Sequence, residues 1–364
     1  MNVCIIGEGL TALSLAKSLI NKKINVHYYY KSRNSNFSSN RTIGISKSNF
    51  EFFKEKIFQI SKNNYWKINR IEIYTDKIDT ENLLKFENDK NDLFYIIKND
   101  ELLKSLNSNL IKSKFFKKII LSKNINEELL NKKEYDLIIN CDANNFLAKK
   151  YFTKKISKNY YNLAYTTILK HKKIENNTAT QIFTKQGPIA FLPISSTETS
   201  VVYSIDIKNK KFDNSDVIDL INKNNPKYLI NKIDKLNSFE LSSSNLRNYY
   251  HKNILAFGDM LHRVHPLAGQ GFNMTIRDLR ILTKIIEDKI ELGMQLDSQI
   301  FDEFEKKTKD KNFVFSKAID LIYESFNLDK KVQNKSFSKI LKSIGKNKNL
   351  NNYFIKLADA GINF

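Results

Sequence analysis

NVCIIGEGLTALSLAKSLI, residues 2–20, decides how the fold begins. NVCII is a short apolar run that stops at Gly7-Glu8-Gly9. An apolar-periodic stretch follows from Leu10 to Ile20, and INVHYYY (24–30) reads as a second strand. Strand, glycine turn, helix and strand make the opening of a βαβ unit. GEGLTA at 7–12 is then a G-x-G-x-x-A turn at the strand-to-helix junction. Glycines there let the backbone bend tightly and approach an anion, and the helix N-terminus offers unpaired N–H groups to it. Gly7, Gly9 and Ala12 are therefore candidates for holding a dinucleotide pyrophosphate; the bland alternative is an ordinary αβ turn. The acid expected at the end of the second strand is missing, because Tyr30 and Lys31 stand there. Lys31 would suit a 2′-phosphate, or the ribose contact is absent or supplied elsewhere.

A second corner lies far downstream. NILAFGD (253–259) reads as a buried strand and leads into GDMLHRVHPLAGQGFN, Gly258 to Asn273. Two histidines, a proline and three glycines crowd this loop, in a chain with only 10 Gly and 4 Pro. A helix from about Gly271 to Lys289 follows, with Phe272, Ile276, Leu279, Leu282 and Ile286 at spacings of three and four. The chain thus offers two helix N-termini at strand carboxyl ends. A long cofactor with a pyrophosphate between two rings fits across both, with Asp259 at its hydroxyls and the Leu267–Asn273 backbone against a flat ring. Glycine at 269 and 271 removes side chains that would block that approach.

Between these corners the pattern alternates. A helix is expected near Ser46, with Phe50, Phe53 and Ile57 inward, and another from about Asp100 to Leu110. KINRIEIYT (67–75), DLFYIIKN (92–99) and YDLIINC (135–141) read as strands, the last buried on both faces. From Tyr161 to Lys208, β-rich runs separated by turns suggest a mostly antiparallel sheet inserted into the α/β part. The expected fold is α/β: a Rossmann-like domain over 1–70, 95–155 and 240–295, interleaved with a β-sheet substrate domain over 71–94 and 156–239. A helical C-terminal region over 296–364 completes it.

The 364 residues suffice for a large core, and no apolar run reaches the roughly 18–20 residues that span a bilayer. No signal peptide is evident, so a cytoplasmic location is expected. The formal net charge of +21 points to anionic partners. The lysines are scattered, however, and accompany heavy use of Asn, Ile, Phe and Tyr, the residue set of A/T-rich codons; nucleic acid is not expected as a partner. Cys4 and Cys141 read as small core residues. His262 and His265 lack a third ligand at zinc spacing, so no metal is expected and loop-ordering or cofactor-adjacent roles are preferred. Gly187-Pro188 reads as a turn and Trp66 as a core residue. The Lys-rich tail, with Phe326, Phe337, Ile340, Leu341, Ile344, Tyr353, Phe354 and Ile355, would either cover the first domain or touch a membrane.

GDMLHRVHPLAGQGFNMTIRD resembles the GD motif of the class A flavin monooxygenases, in particular the ubiquinone-biosynthesis hydroxylases of the UbiH/UbiF type, which have a para-hydroxybenzoate hydroxylase-like fold. RTIGIS (41–46), YDLIINCDANN (135–145) and TQIFTKQGPIAFLPI (180–194) resemble further segments of that family, in the same order. The resemblance covers roughly residues 1–290 and implies FAD as cofactor. Gly7, Gly9 and Ala12 would serve its ADP half, with Arg41 and Asp142 nearby. Gly258 and Asp259 would meet the ribityl–pyrophosphate region, and Pro266, Gly269, Gln270, Gly271 and Asn273 would line the flavin ring. The implied reaction is hydroxylation of a polyprenylated phenol with O2 and NAD(P)H through a flavin C4a-hydroperoxide. Other ubiquinone-biosynthesis proteins and the inner-membrane surface are the implied associates, the latter through peripheral contact on the cytoplasmic face. Three positions depart from the family: the missing second-strand acid, Asp100 where an Arg is usual, and Ala143 in place of a glycine. A degenerate flavoprotein acting as a scaffold, or a related flavoenzyme acting on another prenyl lipid, stays open as an alternative.

Overall fold

The computed structural model describes residues 1–31, 41–75, 82–87, 92–121, 134–208, 210–332, 355–357, 359 and 361, the side chains of 268 and 328–332 excepted. The apolar runs at 2–6, 137–140 and 254–256 become neighbouring strands of one sheet. With elements numbered along the chain, its order is β16 (Tyr250–His251), β17 (Ile254–Ala256), β9 (Leu137–Asn140), β1 (Asn2–Ile6), β2 (Asn25–Tyr30) and β8 (Phe116–Ile120). All neighbours from β17 to β8 run parallel. Val3 to Ile6, Leu137 to Ile139 and Leu255 to Ala256 are fully buried. Such runs need cover on both faces, and helices supply it. α1 (Leu10–Asn21) packs against α3 (Asn99–Leu110) and against α6 (Gln270–Glu291). Phe50, Phe53 and Ile57 are buried as expected; α2 (Lys47–Phe52) passes into a π-helical turn, Phe53–Ile57.

The second sheet has nine strands. Its order is β18 (His262–Arg263), β15 (Asn237–Leu246), β10 (Lys155–His171), β13 (Glu198–Asp206), β12 (Pro188–Pro193), β11 (Thr178–Phe183), β5 (Arg70–Thr75) and β6 (Leu84–Glu87), with β14 (Ile230–Ile233) beside β10. Pairing is antiparallel except between β11 and β5. α5 (Asn214–Lys223) covers one face, where Val217 and Ile221 meet Ile189, Phe191, Val201 and Tyr203. A small third sheet has the order β3 (Thr42–Ser46), β7 (Phe94–Lys98) and β4 (Trp66–Ile68).

Some expectations are corrected. KINRIEIYT is two strands, because at Asn69 the chain leaves the small sheet for the large one; its backbone N–H turns to the Asn177 carbonyl. Asn is poorly suited to strand interiors, which favours the break. Cys4 is buried, whereas Cys141 lies just past the end of β9 and is only half-buried. β15 crosses residue 240 without interruption and pairs with β10 on both sides of it.

α7 (Gln299–Val332) spans both sheets. Ile300, Phe301 and Phe304 enter the core of the parallel sheet, while Phe315, Ile319, Tyr323 and Phe326 join a cluster with Tyr160, Phe183 and Leu241 of the large sheet. α4 (Phe146–Tyr151) is capped by Asn145, whose side chain accepts from the Ala148 N–H. The remaining apolar tail residues named above lie outside the described residues, apart from Ile355. Among the described residues no helix is long and apolar enough to cross a membrane.

Phe304 is fully buried between Tyr249 and Phe257. Phe304→Ala should lower unfolding stability by about 3–5 kcal/mol. Urea denaturation checks this, and a loss under about 1 kcal/mol would mean that the helix is not packed as described.

Candidate functional site

The first corner keeps its glycines in conformations that other residues avoid, with φ +138° at Gly7 and +116° at Gly9. A Cβ on Gly7 would lie 3.0 Å from Cβ of Cys141, whereas one on Gly9 would meet nothing within 4 Å. Gly9 caps α1 without a side-chain hydrogen bond, and no acid occupies the first turn. The N-terminal partial charge of this helix is therefore uncompensated by its own residues. Glu8 is exposed, so solvent screens it.

Beside this corner, Gly7, Tyr30, Lys31, Asp142 and Asp259 line a cavity of about 320 Å³. Lys31 Nζ lies 2.6 Å from Asp142 Oδ2, and Asp142 Oδ1 accepts from the Asn144 N–H. The cation at the end of β2 is thus matched by the acid at the end of β9. The other departures cause no strain. Among the described residues, non-glycine positive φ occurs only at Lys23, Tyr161 and Lys252, so Ala143 needs no glycine. Asp100 faces Lys104 one turn along α3, and it is Asn99 and Leu103 that line the larger cavity.

The second corner is locked to the first at Gly258. Its φ is +69°, and a Cβ there would stand 2.6 Å from Cγ2 of Thr11. Gly258 therefore lets the two corners touch and lines neither cavity. Past it, Gly269 takes φ +62° and caps α6 with no side-chain bond and no acid in the first turn. A Cβ on Gly271 would meet open space. The Oε1 of Gln270 is buried with no hydrogen-bond partner among the described residues. Gly9, Arg41, Asp259, Pro266, Gly269, Gln270 and Gly271 all border one cavity of about 910 Å³, which extends to the large sheet.

Two of the expected site residues sit behind these walls. Ala12 is fully buried within α1. Asn273, expected at the ring slot, is also fully buried. Its Nδ2 donates to the carbonyls of Gly44 (3.0 Å) and Gly269 (3.1 Å), and its Oδ1 accepts from the Ser46 N–H (2.9 Å) and Asn49 Nδ2 (3.1 Å). It fastens the glycine loop to β3 and leaves no polar group to offer a ligand.

The histidines order the same loop. His262 Nε2 is 2.6 Å from Asp278 Oδ2, and Asp278 Oδ1 accepts from Asn312 Nδ2, which joins loop, α6 and α7. His265 is 1% exposed, bonded to the Ser204 hydroxyl (3.2 Å) and stacked on Tyr323. Among the described residues no cluster suits a metal ion. Sequence reasoning missed Asp278, Asn312, Asn49 and Asp359. Asp359 borders the cavity and accepts from the Ser48 N–H at 2.8 Å. The i, i+4 register of α6 places Asp278 beside Met274 and Leu282 on a buried face, which was the available signal.

Residues 160–305 match the family model described as an FAD binding domain. A ubiquinone biosynthesis monooxygenase, COQ6, of Caenorhabditis elegans is 25% identical over 197 residues, 43% of this chain and 44% of that protein. The 3-demethoxyubiquinol 3-hydroxylase of Escherichia coli is 26% identical over 153 residues, 40% of this chain and 39% of that one. The chain thus spans less than half the length of these two relatives. The solved structure of p-nitrophenol 4-monooxygenase from Pseudomonas putida superposes with a TM-score of 0.76 at 11% identity, covering 100% of this chain and 98% of that one. The fold is that of the class A flavin monooxygenases.

Burial, reinforced by Lys158, lowers the His265 pKa from 6.5 to about 3. Below pH 6.5 the unfolded chain takes up a proton that the folded state refuses, so this residue's contribution to stability falls as the pH drops towards 3. Relative to His265→Gln, the native protein should lose roughly 2 kcal/mol more stability between pH 7 and pH 5. Denaturant melts at both pH values test this; parallel pH slopes would contradict it.

Proposed function

We propose that this relative of the FAD-dependent hydroxylases of ubiquinone biosynthesis is itself such an enzyme, adding a hydroxyl to the ring of a polyprenylated phenol with O2 and NAD(P)H. One observation carries the reading. Two uncapped helix N-termini, held together where Gly258 meets Thr11, open onto one continuous cavity that ends at an apolar sheet face. These residues fit FAD. The Gly9–Thr11 backbone offers unpaired N–H groups for the pyrophosphate, and Asp259 offers acceptors for hydroxyl groups. The bare main chain at Gly269–Gly271 leaves room for a flat ring, with Gln270 supplying a buried polar atom that lacks a partner.

Bound FAD would supply the redox chemistry: acceptance of hydride from NAD(P)H and activation of O2. The protein's part is placement and exclusion of water. Ile71, Ile73, Leu192 and Val202 line the same cavity, and Phe94 stands beside Gly269, so a ring seated there is shielded. Backbone N–H groups at the start of α6 can stabilise negative charge that develops on the cofactor's ring edge. A polyprenylated substrate is dissolved in lipid, and a net charge of +21 suits contact with an anionic bilayer surface.

Purified protein should bind FAD, turn yellow and oxidise NAD(P)H faster when a prenylphenol is added. A protein that stays colourless after incubation with excess FAD would rule the reading out. A side chain on Gly271 enters open space, so Gly271→Leu should keep the native melting profile of the apoprotein while losing flavin. Quinone synthesis restored by Gly271→Leu in a deletion strain would favour the scaffold role.

A further inference from the structure

The two cavities share four lining residues. Glu8, Cys141, Asp259 and Arg263 border both the smaller cavity beside Lys31 and the larger one that extends to the sheet. Glu8 and Asp259 are exposed carboxylates. Burial, with Asp259 and Asp142 close by, pushes the Cys141 thiol pKa up, so that group stays neutral. The junction therefore carries two negative side chains and one positive one. The Gly9 end of α1 opens at the same place. A helix N-terminus is worth about half a unit charge, whereas each carboxylate carries a full one. Once a ligand displaces the water between them, the helix end alone does not outweigh two acids facing an anion.

Arg263 owes its position to a short strand. β18 pairs with Ser244 and Asn245 of β15. Side chains alternate along a strand, so while His262 turns inward to Asp278, Arg263 turns the other way. It is exposed, and among the described residues its guanidinium enters no ion pair. The remaining cations at the cavities are differently placed. Lys31 borders the smaller cavity alone and is held by Asp142 at 2.6 Å. Arg41 and Lys47 border the larger cavity alone, and Arg41 lies over the Phe239 ring. α3 contributes Asn99 and Leu103, neither of them charged. Arg263 is thus the cation common to both spaces.

We propose that Arg263 holds the pyrophosphate of the dinucleotide at the point where the two cavities join. Its planar fork suits two phosphate oxygens at once, and its charge offsets Glu8 and Asp259 on either side. The assignment rests on the FAD reading above and adds a charged contact that the glycine turns do not supply. It also divides the labour at the second corner: the loop backbone meets the ring, Asp259 meets hydroxyl groups, and the side chain after His262 meets the phosphates.

The test titrates the apoprotein with FAD and follows flavin fluorescence. Arg263→Gln should weaken FAD binding roughly ten- to a hundredfold, because a charge-assisted contact is lost. Its melting without flavin should match the native protein, since the side chain is exposed. Arg263→Lys keeps the charge but not the fork and should bind with intermediate affinity. Lys223→Gln removes the same charge from α5, which borders neither cavity, and should bind FAD as the native protein does. The native Kd should rise with added NaCl more steeply than that of Arg263→Gln. Three results would overturn the assignment while leaving the FAD reading in place: Arg263→Gln binding FAD within about twofold of native, equal salt slopes, or an equal loss in Lys223→Gln. A native protein that takes up no FAD would overturn both.

Discussion

Gly258 and Thr11 are in contact because position 258 has no side chain, and the rest of the site depends on that approach. A Cβ there would push the second loop away from the start of α1. The two helix N-termini would then face separate spaces, and no single ligand could feel both partial charges, which fade within a turn. With the contact made, two weak fields reinforce at one place. The corner is assembled from segments some 250 residues apart, and a backbone-to-methyl contact sets their distance.

Around that contact the protein spends its buried polar groups on rigidity. Asn273 ties the glycine loop to β3, and His262, Asp278 and Asn312 tie the same loop to two helices. Each is almost fully buried and has partners for much of its hydrogen-bonding capacity, so moving the loop means leaving polar groups unpaired. Gln270, in the same loop and bordering the cavity, keeps a buried Oε1 without a partner among the described residues. The loop is fixed by polar contacts so that the exposed face of its backbone can stay bare.

Much of this was legible in the sequence where cause and effect are local. GEGLTA follows an apolar run and opens a periodic helix, and the structure has that strand, turn and helix. The runs at 137–140 and 254–256 read as strands buried on both faces, and they are. Legibility failed where a residue's role is set by a distant partner. Asn273 looks like a ligand contact beside glycines, but its four bonding partners lie on β3, α2 and the loop itself. Lys31 read as suiting a 2′-phosphate, but its ammonium is met by Asp142, 111 residues on. Asp100 stood out as a departure from the family's Arg, but the helix turns it to Lys104. The crossover at Asn69 had no strong breaker to announce it, since one Asn within an alternating run is compatible with a single strand.

α7 adds a mechanical consequence. It is one uninterrupted helix of 34 residues, about 50 Å long, with its first turns buried against the parallel sheet and later ones against the large sheet. A rod anchored at both places resists any opening in which the two sheets swing apart like the halves of a shell. Any widening of the large cavity is therefore left to small displacements at its rim, where Phe86 of β6 lies, while the frame between the sheets keeps its shape.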